Sequence, residues 1–226
     1  MRKTFLAITL FLAFSKAALA QFGNCTASEM RTYVDSATGN TITMLTDTMK
    51  NDRFLYQTDP MWTADGKYLL FRSSSRGNDK EVESTLPNGE KRKWTPTQIY
   101  FIEMATGKII QATEGPNLGS AFLANKTNRM FVSRKEKENW NMYVMDLNKF
   151  FADVKQGKVG KPSAYETFIG TFPTEMGRPG GYAVDCNDDY AYITVEREGT
   201  EEEKERMMKN AFLPESKDKA NSLRNS

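Results

Sequence analysis

The chain has 226 residues, with 31 basic and 29 acidic side chains, two cysteines and no histidine. The lack of histidine removes the usual general base of enzymes and the commonest metal ligand. No clustered basic face of the kind used for nucleic-acid binding is found, so we expect no nucleic-acid partner.

The first 20 residues have the pattern of a secretory leader. Arg2 and Lys3 precede an apolar stretch at 4–14, and small residues lead up to a predicted cleavage after Ala20. The apolar stretch is shorter than the roughly 20 residues that span a bilayer. We therefore predict a signal peptide at 1–20, a secreted or periplasmic protein, and no membrane span in the mature form.

Without the leader, 206 residues remain, with 28 basic and 29 acidic side chains, which gives a nearly neutral chain. That length is enough for one large β domain with its own core. Cys25 and Cys186 would enter an oxidising compartment, where a disulfide between them and two free thiols are both open.

Two β-hairpins begin the predicted fold. The first joins residues 32–35 to 41–45 through a turn at 37–40. The second lies within residues 59–73, DPMWTADGKYLLFRS, where the Asp65-Gly66 pair predicts a two-residue turn with positive φ at both positions.

The later elements follow from short apolar runs separated by turn residues. We predict strands at 98–102, 109–113, 120–123, 130–133, 141–147, 166–170 and within 182–195, a ribbon of 82–86 with 91–94, a charged loop at 134–139, and a short helix around 150–154.

The hairpin pattern recurs at a spacing of about 60 residues. An aromatic residue is followed three positions later by Asp or Asn, then by a polar turn and an apolar strand, at Trp62/Asp65, Phe122/Asn125 and Tyr182/Asp185. Equal spacing predicts an internal structural repeat. We expect the aromatic residues to pack between repeats and the Asp and Asn side chains to bond turn backbone.

A second pattern recurs independently, since DSATGNTITMLT (35–46) matches EMATGKIIQAT (103–113). The two patterns together predict four antiparallel strands per repeat. Such sheets, or blades, arranged radially form a β-propeller. The sequence therefore predicts an all-β protein, with the β-propeller favoured over a β-sandwich.

The predicted organisation is a signal peptide at 1–20, propeller blades at 21–195, and a charged, partly helical or disordered tail at 196–226. The charge series EEEKERMMK in the tail is typical of a solvated helix rather than a buried one.

The segments TDPMWTADGKYLLFRS and QIYFIEMATGKIIQAT resemble repeats of TolB-like periplasmic propellers. More closely, residues 30–195 resemble the N-terminal portion of the oligogalacturonate lyase family, which are seven-bladed propeller enzymes of pectin breakdown. Members are about twice as long, so the resemblance implies an incomplete propeller of about half the blades. A closed four-bladed propeller is the alternative.

The resemblance implies β-elimination of uronate-containing oligosaccharides. Family positions for a divalent metal, manganese or similar, and for the base are largely histidines with a glutamine, and this chain has no histidine. The resemblance therefore implies no cofactor in this chain, a metal only in a full-length relative, and an inactive chain on its own.

Propeller sites lie on loops at the mouth of the central channel, here 56–60, 117–120 and 178–181. Candidate carboxylate-binding residues are Arg72, Arg134 and Arg178, and candidate cleft residues are Gln57, Asp59 and Asn117. Alternatively, the arginines are surface residues or bridge neighbouring blades. No catalytic residue or metal ligand is assigned.

Two other functions remain open at this point. One is a non-enzymatic TolB-like propeller that binds a protein or peptide. The other is a prolyl-peptidase-like propeller, which requires a Gly-x-Ser-x-Gly motif that is absent here. Exposed blade edges in an incomplete propeller also predict self-association.

Overall fold

The structure is a computed structural model that describes residues 21–77, 81–85, 89–137, 139–172, 178–196 and 202. The side chains of 178–180, 195 and 196 are not described, and the predicted signal peptide and almost all of the predicted tail lie outside these ranges. The described part is mostly β, with several antiparallel sheets and one α-helix. None of its helices has the length and apolarity to cross a membrane.

Sheet I contains five strands in the order β1-β9-β8-β5-β4. Their bounds are β1 Cys25–Thr26, β4 Asp52–Arg53, β5 Tyr68–Ser73, β8 Gln98–Glu103 and β9 Ile109–Gln111. The apolar runs of β5 and β8 are buried on both faces, as expected for a sheet packed between other layers.

Sheet II contains four strands in sequence order. They are β10 Leu118–Leu123, β11 Arg129–Glu136, β12 Asn139–Asp146 and β13 Glu166–Phe172. The predicted charged loop at 134–139 is wrong, because β11 extends to Glu136, β12 begins at Asn139, and these two residues are paired. Lys137 has φ of 56° at the tight turn between them.

Three two-stranded sheets complete the described part. They are β2 Arg31–Val34 with β3 Thr41–Met44, the predicted ribbon of β6 Val82–Thr85 with β7 Lys91–Trp94, and β14 Arg178–Val184 with β15 Ala191–Glu196.

The main core lies between sheets I and II. Leu70 and Phe101 from sheet I and Met130 and Val132 from sheet II belong to one buried cluster. Each fully buried side chain of this kind contributes about 1.5–3 kcal/mol. Smaller clusters lie on the outer faces, one joining sheet I to Leu45 and one joining sheet II to the β14–β15 hairpin.

One helix, α1 Leu147–Gln156, closes the side of this core. Asp146 begins it by accepting a hydrogen bond from the Lys149 backbone N–H, and Gly157 ends it with φ of 66°. Phe151 stacks on Tyr68 with ring centroids 3.6 Å apart. The predicted short helix is confirmed and is longer than its apolar run, because the capping residues extend it.

The Asp65-Gly66 turn differs from the prediction. Only Gly66 has a positive φ, of 68°, and the loop closes with Thr63 N donating to Tyr68 O at 3.0 Å. The loop therefore has four residues rather than two. Burial raises the pKa of Asp65, but hydrogen bonds donated by Thr63 and Lys67 outweigh it and bring the pKa to about 2.

The three aromatic-containing repeats are not in one register. The hairpins close with Trp62 opposite Leu69, Leu123 opposite Met130, and Val184 opposite Ala191. The repeat is therefore 61 residues long at the level of paired strands. The motif aromatics at 122 and 182 are displaced from the Trp62-equivalent positions by one and two residues.

Because of this displacement, the aromatic residues differ in their surroundings. Phe122 is buried and stacks on Tyr182 of the next hairpin at 5.1 Å, as predicted for packing between repeats. Trp62 is 46% exposed, so the same prediction is wrong there.

Asp188, which the repeat analysis missed, ties the last hairpin to sheet II. Its carboxylate accepts hydrogen bonds from the backbone N–H groups of Asn125, Lys126 and Thr127, at 2.6–2.9 Å. Burial raises the pKa of Asp188, but the Thr127 hydroxyl and these backbone donors hold it below the ordinary value. Asn125 thus bonds the neighbouring hairpin, through Val184 O and Asp185 O, rather than its own turn.

Candidate functional site

A cleft of about 1040 Å³ opens where five parts of the described chain meet. These are the β4–β5 edge of sheet I, the loop before β5, the ribbon β6–β7 with the residues that follow it, most of β10, and the middle of β14. The lining residues are Asn51, Arg53, Leu55, Tyr56, Asp59, Arg72, Ser74, Ser84, Arg92, Trp94, Thr95, Pro96, Thr97, Ile99, Pro116, Leu118, Gly119, Ser120, Ala121, Phe122, Gly181 and Tyr182.

Three arginines give the cleft its charge. Arg53 and Arg72 are direct cross-strand partners in β4 and β5, and Arg92 comes from the ribbon. Among the described residues of the lining, Asp59 is the only acidic one. Like charges placed directly opposite each other on a sheet are destabilising, so the arrangement favours an anion that lies between them.

The guanidinium groups of these three arginines make no ion pair or hydrogen bond with another residue of the described ranges. Each is exposed, so each guanidinium can present its fork of donors to a ligand. A planar guanidinium binds a carboxylate or phosphate with two parallel hydrogen bonds. The cleft is therefore suited to a ligand that carries several anionic groups.

Aromatic side chains supply apolar surface in the same cleft. Tyr56 is 67% exposed and Trp94 is 37% exposed, while Phe122 and Tyr182 lie deeper and stack on each other. Exposed aromatic rings beside charged groups are typical of a binding groove rather than of plain protein surface. A ligand with both flat apolar faces and negative charge fits this combination.

The floor of the cleft is held by a hydroxyl network. The buried Ser133 hydroxyl accepts from the Ser120 N–H at 2.9 Å and from the Tyr182 hydroxyl at 2.8 Å. Gly119 beside it has no room for a side chain, because a Cβ there would lie 2.4 Å from Ser133 Oγ and 2.5 Å from Trp140. The shape of the floor therefore depends on this glycine.

The structure brings some predicted residues together and not others. Asp59 and Arg72 line the cleft, and so do parts of all three predicted loops, at Tyr56, Gly119 and Gly181. Gln57 is exposed next to the lining residue Tyr56. Asn117 lies beside the lining residues Pro116 and Leu118, and its carbonyl accepts from Lys135 N at 2.9 Å.

The other two predicted arginines are placed differently. Arg134 is held by Glu166, whose carboxylate accepts from both of its terminal nitrogens, and its guanidinium lies over the Tyr143 ring. Arg134 thus bridges strands within sheet II and does not line the cleft. Arg178 begins β14, and its side chain lies outside the described part.

Arg53, Arg92 and Trp94 were missed by sequence reasoning. Arg53 lies in a polar segment with no strand pattern, and it joins the site only because β4 pairs with the end of β5. The ribbon that carries Arg92 was predicted, but its position over the cleft depends on the fold of a long polar loop. Nothing in the local sequence signals either contact.

Within the described part of the chain, no group of three or more His, Cys, Asp and Glu side chains could hold a metal ion. Cys25 and Cys186 are both free and exposed in the described ranges.

No protein-family model and no curated protein match the sequence. Solved structures do match. An oligogalacturonate lyase in complex with manganese has a TM-score of 0.50 and 20% identity, over 74% of this chain and 36% of that chain. An oligogalacturonate lyase from Vibrio parahaemolyticus has a TM-score of 0.49 and 21% identity, over 74% and 35%.

The chain therefore spans about a third of the length of the solved structures it matches. The first of them shows a likeness of fold to an oligogalacturonate lyase. This is the family that the sequence resembles, and the likeness between the structures is one of fold.

Proposed function

We propose that the cleft binds the carboxylates of a uronate-rich oligosaccharide, and that the chain is part of an oligogalacturonate-lyase-like β-propeller. The observation that carries the proposal is the set of three exposed arginines, Arg53, Arg72 and Arg92, without ion partners in the described ranges. The aromatic rings of Tyr56 and Trp94 beside them offer faces for sugar rings.

In this proposal the layered sheets are blades of a propeller that is incomplete within this chain. The proposed protein is secreted or periplasmic, which places it where plant-wall oligosaccharides are found. The likeness of fold supports the proposal that these sheets are propeller blades.

β-Elimination from a uronate has three chemical requirements. The substrate carboxylate must be neutralised so that the neighbouring proton becomes acidic, a base must remove that proton, and an acid must protonate the leaving oxygen. The cleft arginines meet the first requirement. We assign no residue to the other two, and we propose that this chain binds the oligosaccharide without turning it over.

The proposal is tested by titrating trigalacturonate into the chain and its variants by calorimetry. We expect Arg72→Gln and Arg92→Gln each to weaken binding by about tenfold or more, since a hydrogen bond to a charged group is worth about 1.5–3 kcal/mol.

Lys93→Gln is the matched control. It removes one positive charge from the same ribbon strand, but Lys93 is not in the cleft lining, because successive residues of a strand point to opposite faces. Equal losses for Lys93→Gln and Arg92→Gln would mean that binding reflects general charge, and the cleft assignment would then be wrong.

A further inference from the structure

The two end hairpins, β2–β3 and β14–β15, have unpaired edges and exposed apolar side chains. Within the described ranges each strand of these hairpins pairs only with its own hairpin partner. Val34 is 65% exposed and Tyr192 is 58% exposed, and Tyr33 is 48% exposed. Unpaired strand edges with apolar residues are templates for pairing with another strand.

The hairpin β2–β3 is built like the outer strands β8–β9 of sheet I. In both, an acidic residue accepts from a Thr hydroxyl three positions later at 2.6 Å, namely Asp35 from Thr38 and Glu103 from Thr106. Gly39 and Gly107 follow with φ of 71° and 72°. The strand registers match as well, with Tyr33 opposite Ile42 and Phe101 opposite Ile110.

The hairpin β14–β15 is built like the inner part of a complete sheet. Its closing pair, Val184 with Ala191, is equivalent to Leu123 with Met130, which pair at the turn end of the β10–β11 hairpin. The backbone N–H of Tyr190 bonds Asp185 Oδ1 at 2.7 Å, as that of Tyr68 bonds Thr63 Oγ1 at 3.1 Å. The strand β15 is therefore the counterpart of β5 and β11.

The two complete sheets show what these edges pair with. In sheet I, β5 pairs with β8, the counterpart of β2, and Leu70 lies opposite Phe101. In sheet II, β11 pairs with β12, and Phe131 lies opposite Val144. By the same register, the free edge of β15 fits the free edge of β2, with Tyr192 opposite Tyr33.

We propose that a second copy of this chain completes both half-sheets, so that β14–β15 of one copy and β2–β3 of the other form one four-stranded sheet. Tyr33 and Tyr192 then occupy positions whose counterparts in sheet I, Phe101 and Leu70, are fully buried. Val34 is the counterpart of Ile102, which is also fully buried. The exposed side chains of Tyr33, Val34 and Tyr192 would therefore be buried in the dimer, as their counterparts are in sheet I.

The arrangement closes with two copies. Within its described ranges each chain offers one β2 edge and one β15 edge, so the pair is self-complementary about a two-fold axis. The dimer contains two complete sheets from each copy and two composite sheets. These six sheets would form a ring whose size lies within the four to eight blades of known propellers. This inference is independent of the ligand proposed for the cleft.

Disulfide trapping tests the register. The full chain carrying Tyr33→Cys and Tyr192→Cys, with Cys25→Ser and Cys186→Ser, is oxidised and digested. We expect a disulfide-linked dimer whose mapped peptide joins positions 33 and 192, since opposed residues of a non-hydrogen-bonded strand pair have Cα atoms about 4.5 Å apart. The two single-cysteine variants are controls. Linkage of 33 to 33 or of 192 to 192 at equal yield would overturn the proposed pairing.

An edge-blocking variant tests the association itself. Asp35 N–H bonds Asn40 O within the hairpin, so by alternation the Val34 N–H points away from β3. Val34→Pro removes that donor from the β2 edge, and Thr41→Pro removes the equivalent donor from the opposite edge.

Sedimentation velocity should show a dimer for the unaltered chain and for Thr41→Pro, and at least about tenfold weaker association for Val34→Pro. A monomeric unaltered chain, or equal association of the two proline variants, would contradict the proposal.

Discussion

Arg72 and Arg76 are close in sequence, yet they lie in two contrasting regions of the molecule. The Arg76 side chain is 6% exposed and donates to Glu29 and Asp52, with four hydrogen bonds of 2.5–2.9 Å. Arg72 is exposed in the cleft beside Arg53. A buried arginine needs charged partners because of its desolvation cost, whereas an exposed one can keep its donors available. The contrast indicates which arginines hold the fold and which can bind a ligand.

The largest expected effect comes from Arg76. Arg76→Met leaves two carboxylates without their partner in a partly buried site, which should cost about 3–5 kcal/mol of unfolding free energy. Urea unfolding measures this loss. A loss below 1 kcal/mol would mean that the cluster is solvated and that the contrast with Arg72 is not real.

Arg134 should behave like Arg76, though with a smaller effect. Arg134→Gln breaks a bidentate pair with Glu166, whose side chain is 4% exposed, at a cost of about 2 kcal/mol. Binding of trigalacturonate should remain unchanged, since Arg134 does not line the cleft. Weaker binding at unchanged stability would instead restore Arg134 as a ligand-binding residue.

The ion cluster of Arg76, Glu29 and Asp52 also predicts that the free energy of unfolding depends on pH. Hydrogen bonds from Arg76 lower the pKa of Glu29 below its ordinary value of 4.5. The stability that this carboxylate contributes is therefore present above its unfolded-state pKa and is lost as the pH falls through its lowered folded-state pKa.

Acid unfolding of Glu29→Gln should accordingly be less steep below pH 4.5 than that of the unaltered chain. The effect should be smaller than that of removing Arg76. Parallel curves for the two proteins would show that Glu29 does not titrate as this ion cluster requires.

The smallest effect on stability should come from the cleft. Arg53→Gln removes a like charge opposite Arg72 and should raise the unfolding free energy by roughly 0.2–1 kcal/mol, while binding becomes weaker. A gain in stability with a loss of binding identifies a residue retained for its ligand. Thermal unfolding and calorimetry on the same sample measure both.

The predictability of the fold differs between its parts for physical reasons. The strands β5 and β8 of sheet I follow from local apolar runs at 68–71 and 99–102, and the helix follows from its apolar run, whereas β1 and β4 have no such run. The register of the repeats was not predictable from the aromatic motif. The motif aromatic is the residue that closes the loop in the first hairpin, but it lies one residue before that position in the second hairpin and two before it in the third. Trp62 is exposed for that reason.

The cleft was only half predictable. Asp59 and Arg72 follow from their place beside a recognisable hairpin. Arg53 and Arg92 join them through a two-residue strand and through a ribbon in a polar loop, whose positions depend on long-range packing. Conversely, Arg134 was a candidate like Arg72, but its guanidinium pairs with the carboxylate of Glu166, which is 32 residues away in the chain.

Calorimetry with a charged and an uncharged form of one sugar chain shows whether the cleft selects carboxylates. Trigalacturonate and its fully methyl-esterified form are titrated into the same preparation of the unaltered chain. The arginines predict measurable binding of the acid and at least about tenfold weaker binding of the ester, which has the same rings but no charge. Equal affinity for the two, or no binding of the acid, would contradict the account.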